Sequence, residues 1–302
     1  MRLVECVPNV SEGRNRLVIG ACADAVRAAG AQLLDVSSDI AHNRTVLTFV
    51  GDEGTVESAT LALFACALAE IDLRRHAGVH PRIGAVDVTP FVPLGETTME
   101  ECVALARRVG AAVGERFALP VYLYEAAATT ALRSSLANVR RGQFEGLAAR
   151  LTDPLWAPDF GPGVPHPTAG AAVIGARKPL IAYNINLATD RLEVAQRIAA
   201  TIRESSGGLP CVRALGVPLA DRGLVQVTMN LTDFRVTPLH EVFARVSVEA
   251  GRYGVDVAGS EIVGLVPAAA LSAAAVAALK LHEFTDARVL EYAVQQPPGW
   301  LV

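Results

Sequence analysis

The sequence predicts a mixed α/β (α+β) protein of two similar ferredoxin-like βαββαβ subdomains with a ligand cleft between them. Three observations lead there. Strand-like and helix-like segments alternate throughout, and 302 residues exceed the usual single-domain size. The second half of the chain also repeats the segment order of the first.

In the first half, residues 3–7 read as a strand, and Ser11 followed by helix formers reads as a cap and a helix to about residue 28. Residues 31–36 and 44–51 read as strands. Residues 54–73 read as a helix buried on the face of Leu61, Phe64, Ala65 and Leu68. A strand at 85–92, a helix at 97–117 and a strand at 120–124 follow. In the second half, 180–187 is a strand, 190–204 a helix and 211–219 a strand. The turn Asp221-Arg222-Gly223 leads into a strand at 224–231, then a helix at 239–253 and a strand at 255–266. The phrases Pro8-Asn9-Val10 and Asn184-Ile185-Asn186-Leu187 echo each other before corresponding helices. These repeats place the domains at residues 1–178 and 179–302. Residues 156–175 carry Pro158, Gly161, Pro162, Gly163, Pro165, Pro167 and Gly170. With Trp156 and Phe160 beside them, they read as an ordered binding loop rather than a tether.

Composition narrows the function. Hydrophobic residues at 51% and charged residues at 19% support a packed core. A net charge of -4 without Lys/Arg clusters argues against nucleic acid and leaves room for a small anionic ligand held by local arginines. The five scattered cysteines lack a C-x-x-C pair, which fits reduced thiols in a cytoplasm and no zinc knuckle. Glu5 and Pro8 interrupt the first apolar stretch, so no leader is expected. The apolar run 268–281 is too short for a membrane span and reads as a buried Ala-rich helix. Dinucleotide, Walker A and G-x-S-x-G patterns are absent.

The segment from Arg74 to Asp87 is the richest in chemistry. Arg74, Arg75 and His76 suit a helix C-terminus, where cations meet the negative end of the dipole. His80 precedes Pro81, so its backbone is extended, and Gly78 and Gly84 allow a close approach. The His76–His80 spacing cannot ligate a metal from one helical face because Gly78 and Pro81 break a helix, and no metal is expected. The loop from Asp35 to Arg44, with Asp39 and His42, reads either as an ordinary polar turn or as part of a site. Asn184, Asn186 and Asn230 are unusual in strands. They read either as turn caps or as partners of a ligand with amide-like edges.

Several phrases together carry a resemblance: Val4-Glu5-Cys6-Val7-Pro8-Asn9-Val10-Ser11-Glu12-Gly13, Asn43-Arg44-Thr45-Val46, His80-Pro81-Arg82-Ile83-Gly84-Ala85, Trp156-Ala157-Pro158-Asp159-Phe160-Gly161-Pro162 and Val263-Gly264-Leu265-Val266-Pro267. The chain resembles the glutamate formiminotransferase family in its stand-alone form, over nearly its whole length. The resemblance implies transfer of the formimino group of N-formimino-L-glutamate to tetrahydrofolate as co-substrate, with His80 as acid–base. It also places folate on Gly161-Pro162-Gly163-Val164-Pro165-His166-Pro167-Thr168-Ala169-Gly170. Under that reading Arg82 and Arg44 recognise carboxylates, Asn9, Asn184 and Asn186 bind pterin or formimino edges, and Asp39 joins the substrate-binding set. Partners are small molecules, with neither nucleic acid nor membrane, and homodimerisation is left open. Two positions depart from the family pattern: Val79 stands where Glu is common before the histidine, and Ser37 where a second Asp often follows Asp35-Val36. Alternatives are an enzyme acting on 5-formyltetrahydrofolate and a folate-binding protein without catalysis.

Overall fold

The computed structural model describes residues 2–219, 222–271, 273–282 and 284–296. The chain divides into two compact units, the first running to Arg177 and the second starting at Lys178.

In the first unit, β1 (Arg2–Cys6) and β2 (Asn9–Val10) form one strand interrupted at Val7-Pro8. Both pieces pair antiparallel with β4 (Arg44–Gly51) and with β5 (Val86–Gly95). Proline cannot donate to a ladder, yet its carbonyl still accepts from Leu47 N at 3.1 Å, so β4 runs past the break. β3 (Gln32–Asp39) flanks β4. With α1 (Arg16–Ala28) and α2 (Glu53–Glu70) these strands make the expected βαββαβ unit. The chain then adds α3 (Met99–Phe117), β6 (Val121–Glu125) and β7 (Ala172–Ala176), with β7 parallel to both β5 and β6.

Local chemistry explains where the elements differ from expectation. α1 starts at Arg16 rather than beside Ser11, because Asn15 Oδ1 caps it by accepting from Leu17 N at 3.1 Å and Val18 N at 3.4 Å. α2 buries Val56, Ala59, Leu63, Phe64 and Ala67, and Ala65 lies exposed. An Ala-rich helix that is apolar all round gives periodicity no single stripe to select. α3 opens with a Thr98/Glu101 capping box. The first four of the five residues of β7 fall inside the stretch expected as a loop. Its Ala-Val-Ile-Gly-Ala run is wholly buried, and parallel strands read as continuous apolar runs without alternation.

Successive side chains of β6 point to opposite faces. Val121 and Leu123 join Val109, Phe64 and Phe91 in the large core under α1 to α3. Tyr122 and Tyr124 face a smaller core with Ile83, Val88, Val173, Val139 and Leu147. Val139 and Leu147 come from two short helices that sequence reasoning passed over, α4 (Leu136–Val139) and α5 (Gln143–Arg150). Asp159 pins the end of this back layer. It accepts from Leu123 N at 2.7 Å and pairs with the buried Arg133 at 2.7 Å.

The second unit contains β8 (Ile181–Leu187), α6 (Leu192–Ile202), β9 (Val212–Leu219), β10 (Leu224–Leu231), α7 (Leu239–Arg252) and β11 (Val257–Val263). Its antiparallel order β11-β8-β10-β9 is the ferredoxin-like one. Tyr183, Ile185 and Val227 pack with Ile198 and Val246 in its core. Of the expected turn at 221–223, Asp221 lies outside the described residues. Gly223 adopts φ +62°, as a tight turn requires. β11 ends before Gly264, at φ +75°. The long helix expected over 268–281 is instead a 3₁₀ turn (Ala268–Ala270) and the short α8 (Ala273–Ala278), because Leu271 between them is extended at φ -123°, ψ 131°. A further short helix, α9 (Leu290–Gln295), follows. Among the described residues no helix is long and apolar enough to cross a membrane.

Candidate active site

His80 sits on a loop fixed at both ends by backbone bonds. At its start, Leu73 N donates to Thr168 O at 2.8 Å; at its end, Ala85 N donates to Ala169 O at 3.0 Å. The expected folate loop and the His80 loop are therefore knitted together within the first unit. Gly170 makes this possible: it adopts φ +71°, and a Cβ there would lie 2.1 Å from Ile83 O. Ser11, expected as a helix cap, instead holds this loop by donating through Oγ to Gly84 O at 2.7 Å. Asp87 Oδ1 accepts from Ile83 N at 2.7 Å.

Asn43 holds the other side. It adopts φ +50°, a conformation Asn tolerates better than most residues. Its side chain accepts from Gly13 N at 2.9 Å and donates to Ala77 O at 3.1 Å, joining three loops.

Within this frame Arg44 Nη1 donates to Asn9 Oδ1 at 3.2 Å and meets His80 Nε2 at 3.4 Å. A guanidinium has only donors, so Nε2 carries the lone pair and Nδ1 the proton. Burial, then the charges of Arg140 and Arg44, with His42 and His76 behind them, lower the His80 pKa to about 2. The imidazole is therefore neutral, and with these neighbours alone it is a weak base. The His42 ring lies 6.3 Å from that of His80, and its Nδ1 is 2.9 Å from Asp39 Oδ2. Burial opposes the charge on Asp39, but the hydrogen bonds from His42 outweigh it and lower the Asp39 pKa. Arg140 Nη2 is 2.5 Å from Asp87 Oδ2, and Asp87 is almost fully buried.

Asn9, Arg44 and His80 are thus brought together, with Asp39 attached through His42. Arg82 is placed differently. Its two terminal nitrogens donate to Glu145 at 3.0 and 2.7 Å and its Nε to His76 Nδ1 at 3.1 Å. The fork expected to take a substrate carboxylate is closed on Glu145, whose pKa the Arg82 hydrogen bonds lower. Because His76 Nδ1 accepts, its Nε2 carries the proton that goes to Asn43 O at 2.8 Å. Arg82 thereby braces the site from behind.

In the loop carrying Gly161 to Gly170, Gly161 adopts φ +79° and His166 and Gly170 exchange backbone bonds of 2.9 Å. Asn184 and Asn186 lie on β8 of the second unit. Asn184 Nδ2 donates to Glu261 Oε1 at 3.0 Å, and Gln226 Nε2 donates to Asn186 Oδ1 at 2.8 Å and to Glu261 Oε1 at 3.0 Å. Asn230 is exposed. Val79 is 74% exposed, and Ser37 Oγ donates to Asp35 Oδ2 at 2.6 Å. Among the described residues no cluster of three or more His, Cys, Asp or Glu is placed to hold a metal ion.

The His80 imidazole thus lies against the Arg44 guanidinium and also feels the charge of Arg140. Comparison with known proteins specifies the class. Residues 3–177 match the family model described as formiminotransferase domain, N-terminal subdomain, and residues 182–295 match the formiminotransferase domain. The chain is 46% identical to a glutamate formimidoyltransferase of Streptococcus pyogenes, covering 94% of this chain and 95% of that one. Against the glutamate formimidoyltransferase of Thermoplasma acidophilum the identity is 47%, over 96% and 97%. It is also 48% identical to the formimidoyltransferase-cyclodeaminase of Sus scrofa, of which it covers 52%. The chain belongs to the formiminotransferase family and is a transferase.

Proposed function

We propose that this enzyme transfers the formimino group of N-formimino-L-glutamate to tetrahydrofolate, giving 5-formiminotetrahydrofolate and glutamate, with His80 as general acid–base. The observation that carries the reading is the neutral imidazole of His80, its lone pair at Nε2, held beside Arg44. The reduced folate supplies the attacking nitrogen. That nitrogen must lose a proton and the departing glutamate nitrogen must gain one. His80 accepts the first and returns it to the second, an effect worth roughly 10²–10⁴ in rate. Arg44 recognises a carboxylate of the donor, and Asn9, hydrogen-bonded to Arg44, orients it. The loop from Gly161 to Gly170 holds the folate, and its backbone bonds to the His80 loop fix the two relative to each other. Five free thiols suit a cytoplasmic location.

The test is His80→Ala. Transfer from formiminoglutamate to tetrahydrofolate should fall by at least about a hundredfold with the melting temperature retained. Near-normal turnover would remove His80 from the chemistry.

A further inference from the structure

Arg140 was not among the residues singled out by sequence, yet its charge acts on both His80 and Arg44, and part of its guanidinium is unused. Its Nη2 engages Asp87, while its Nε is buried without a hydrogen-bond partner. Arg44, in contact with the imidazole, also keeps a buried Nε without a partner. Buried donors left unpaired cost roughly 1–3 kcal/mol each, and two of them around one imidazole call for a ligand that accepts.

Charge selects the ligand. Asp87 balances Arg140, and Asp39 is tied to His42 through both the ring and the backbone N–H. Among the described residues Arg44 meets only the neutral groups Asn9 and His80 at hydrogen-bond range. One positive charge is left unmatched, which fits a single carboxylate better than a phosphate. We propose that Arg140 is a donor-binding residue that clamps, together with Arg44, one carboxylate of the formimino-glutamate donor beside His80; this rests on the transferase reading above.

A consequence follows for the imidazole. It faces Arg44 from β4, Arg140 from the end of α4, and His42 and His76 from the neighbouring loops, with Asp39 and Asp87 as the local carboxylates. A carboxylate lodged between Arg44 and Arg140 offsets the repulsion that keeps a proton off His80. Binding of the donor thereby raises the basicity of the group that must take the proton.

The experiment uses Arg140→Lys, which keeps a cation opposite Asp87, and Arg140→Gln. Steady-state kinetics are run with formiminoglutamate, with its α-amide and with its γ-amide, each against tetrahydrofolate. The expected result is a rise of about ten- to a hundredfold in the donor KM of both variants, with the folate KM and the melting temperature little changed. One of the two amides should also lose its disadvantage relative to formiminoglutamate in Arg140→Gln, identifying the clamped carboxylate. An unchanged donor KM, equal rises in both KM values, or unfolding of both variants would overturn the proposal, the last by confining Arg140 to support of Asp87. A wild-type enzyme that turns over no formimino donor overturns the transferase reading along with it, so the two failures are separable.

Discussion

The low basicity of His80 has a consequence for stability that His80→Gln isolates. The folded-state pKa is about 2, against about 6.5 for an unfolded histidine. Below the unfolded value the unfolded chain binds a proton that the native imidazole refuses. The stabilising contribution is therefore fully present above about pH 6.5 and is lost as pH falls towards the folded value. At about pH 5 the loss is RT ln(1 + 10^1.5), or about 2 kcal/mol, and at about pH 7.5 it is close to zero. His80→Gln removes the titration while keeping a polar group. Urea unfolding read by Trp156 fluorescence in a Trp300→Phe background reports the first unit. Between the two pH values the wild type should lose about 2 kcal/mol more than the variant. Whatever the substitution costs at neutral pH cancels in that comparison. Parallel pH profiles would refute the claim that burial, Arg140 and Arg44 hold the ring neutral.

Three further substitutions follow from the frame. Asn43→Ala leaves Gly13 N and Ala77 O without their side-chain partner and strains the left-handed backbone, whereas Asn43→Gly keeps the backbone free. Both should slow turnover, with Ala less stable than Gly by about 1 kcal/mol in thermal unfolding. Gly170→Ala combines φ +71° with a Cβ 2.1 Å from Ile83 O; it should cost at least about 2 kcal/mol and weaken reduced-folate binding measured by calorimetry. Thr98→Ala breaks the capping box of α3; it should lower stability by about 1 kcal/mol and leave both KM values unchanged.

The repeated segment order exposed both βαββαβ units because each helix and strand carries its own local pattern. The parts that sequence concealed share a physical reason. β7 has no alternation, since both of its faces are covered. The buried side of α2 is hidden by alanines on every side. His80 drew attention through the proline after it, whereas Arg44 and Asn9 were singled out only through the family resemblance. Arg140 was not legible, because its place beside His80 depends on α4 and α5 folding back over the sheet. The one sequence signal was Asp87, a lone acid in an apolar strand that demands a cation. Arg82 illustrates the converse. Its fork looked free on the page, but Glu145, 63 residues further along the chain, closes it.

The small back layer behind β5 to β7 contains Ile83, three residues beyond His80 and hydrogen-bonded to Asp87. That layer is a thin sheet of side chains on the far side of the strands from the main core, close in sequence to the His80 loop. Hollowing it, for instance at Val139 or Leu147, loosens the mount of the imidazole while the thick core keeps the unit folded. Catalytic throughput should therefore be the more sensitive gauge of damage there, and the melting curve the blunter one.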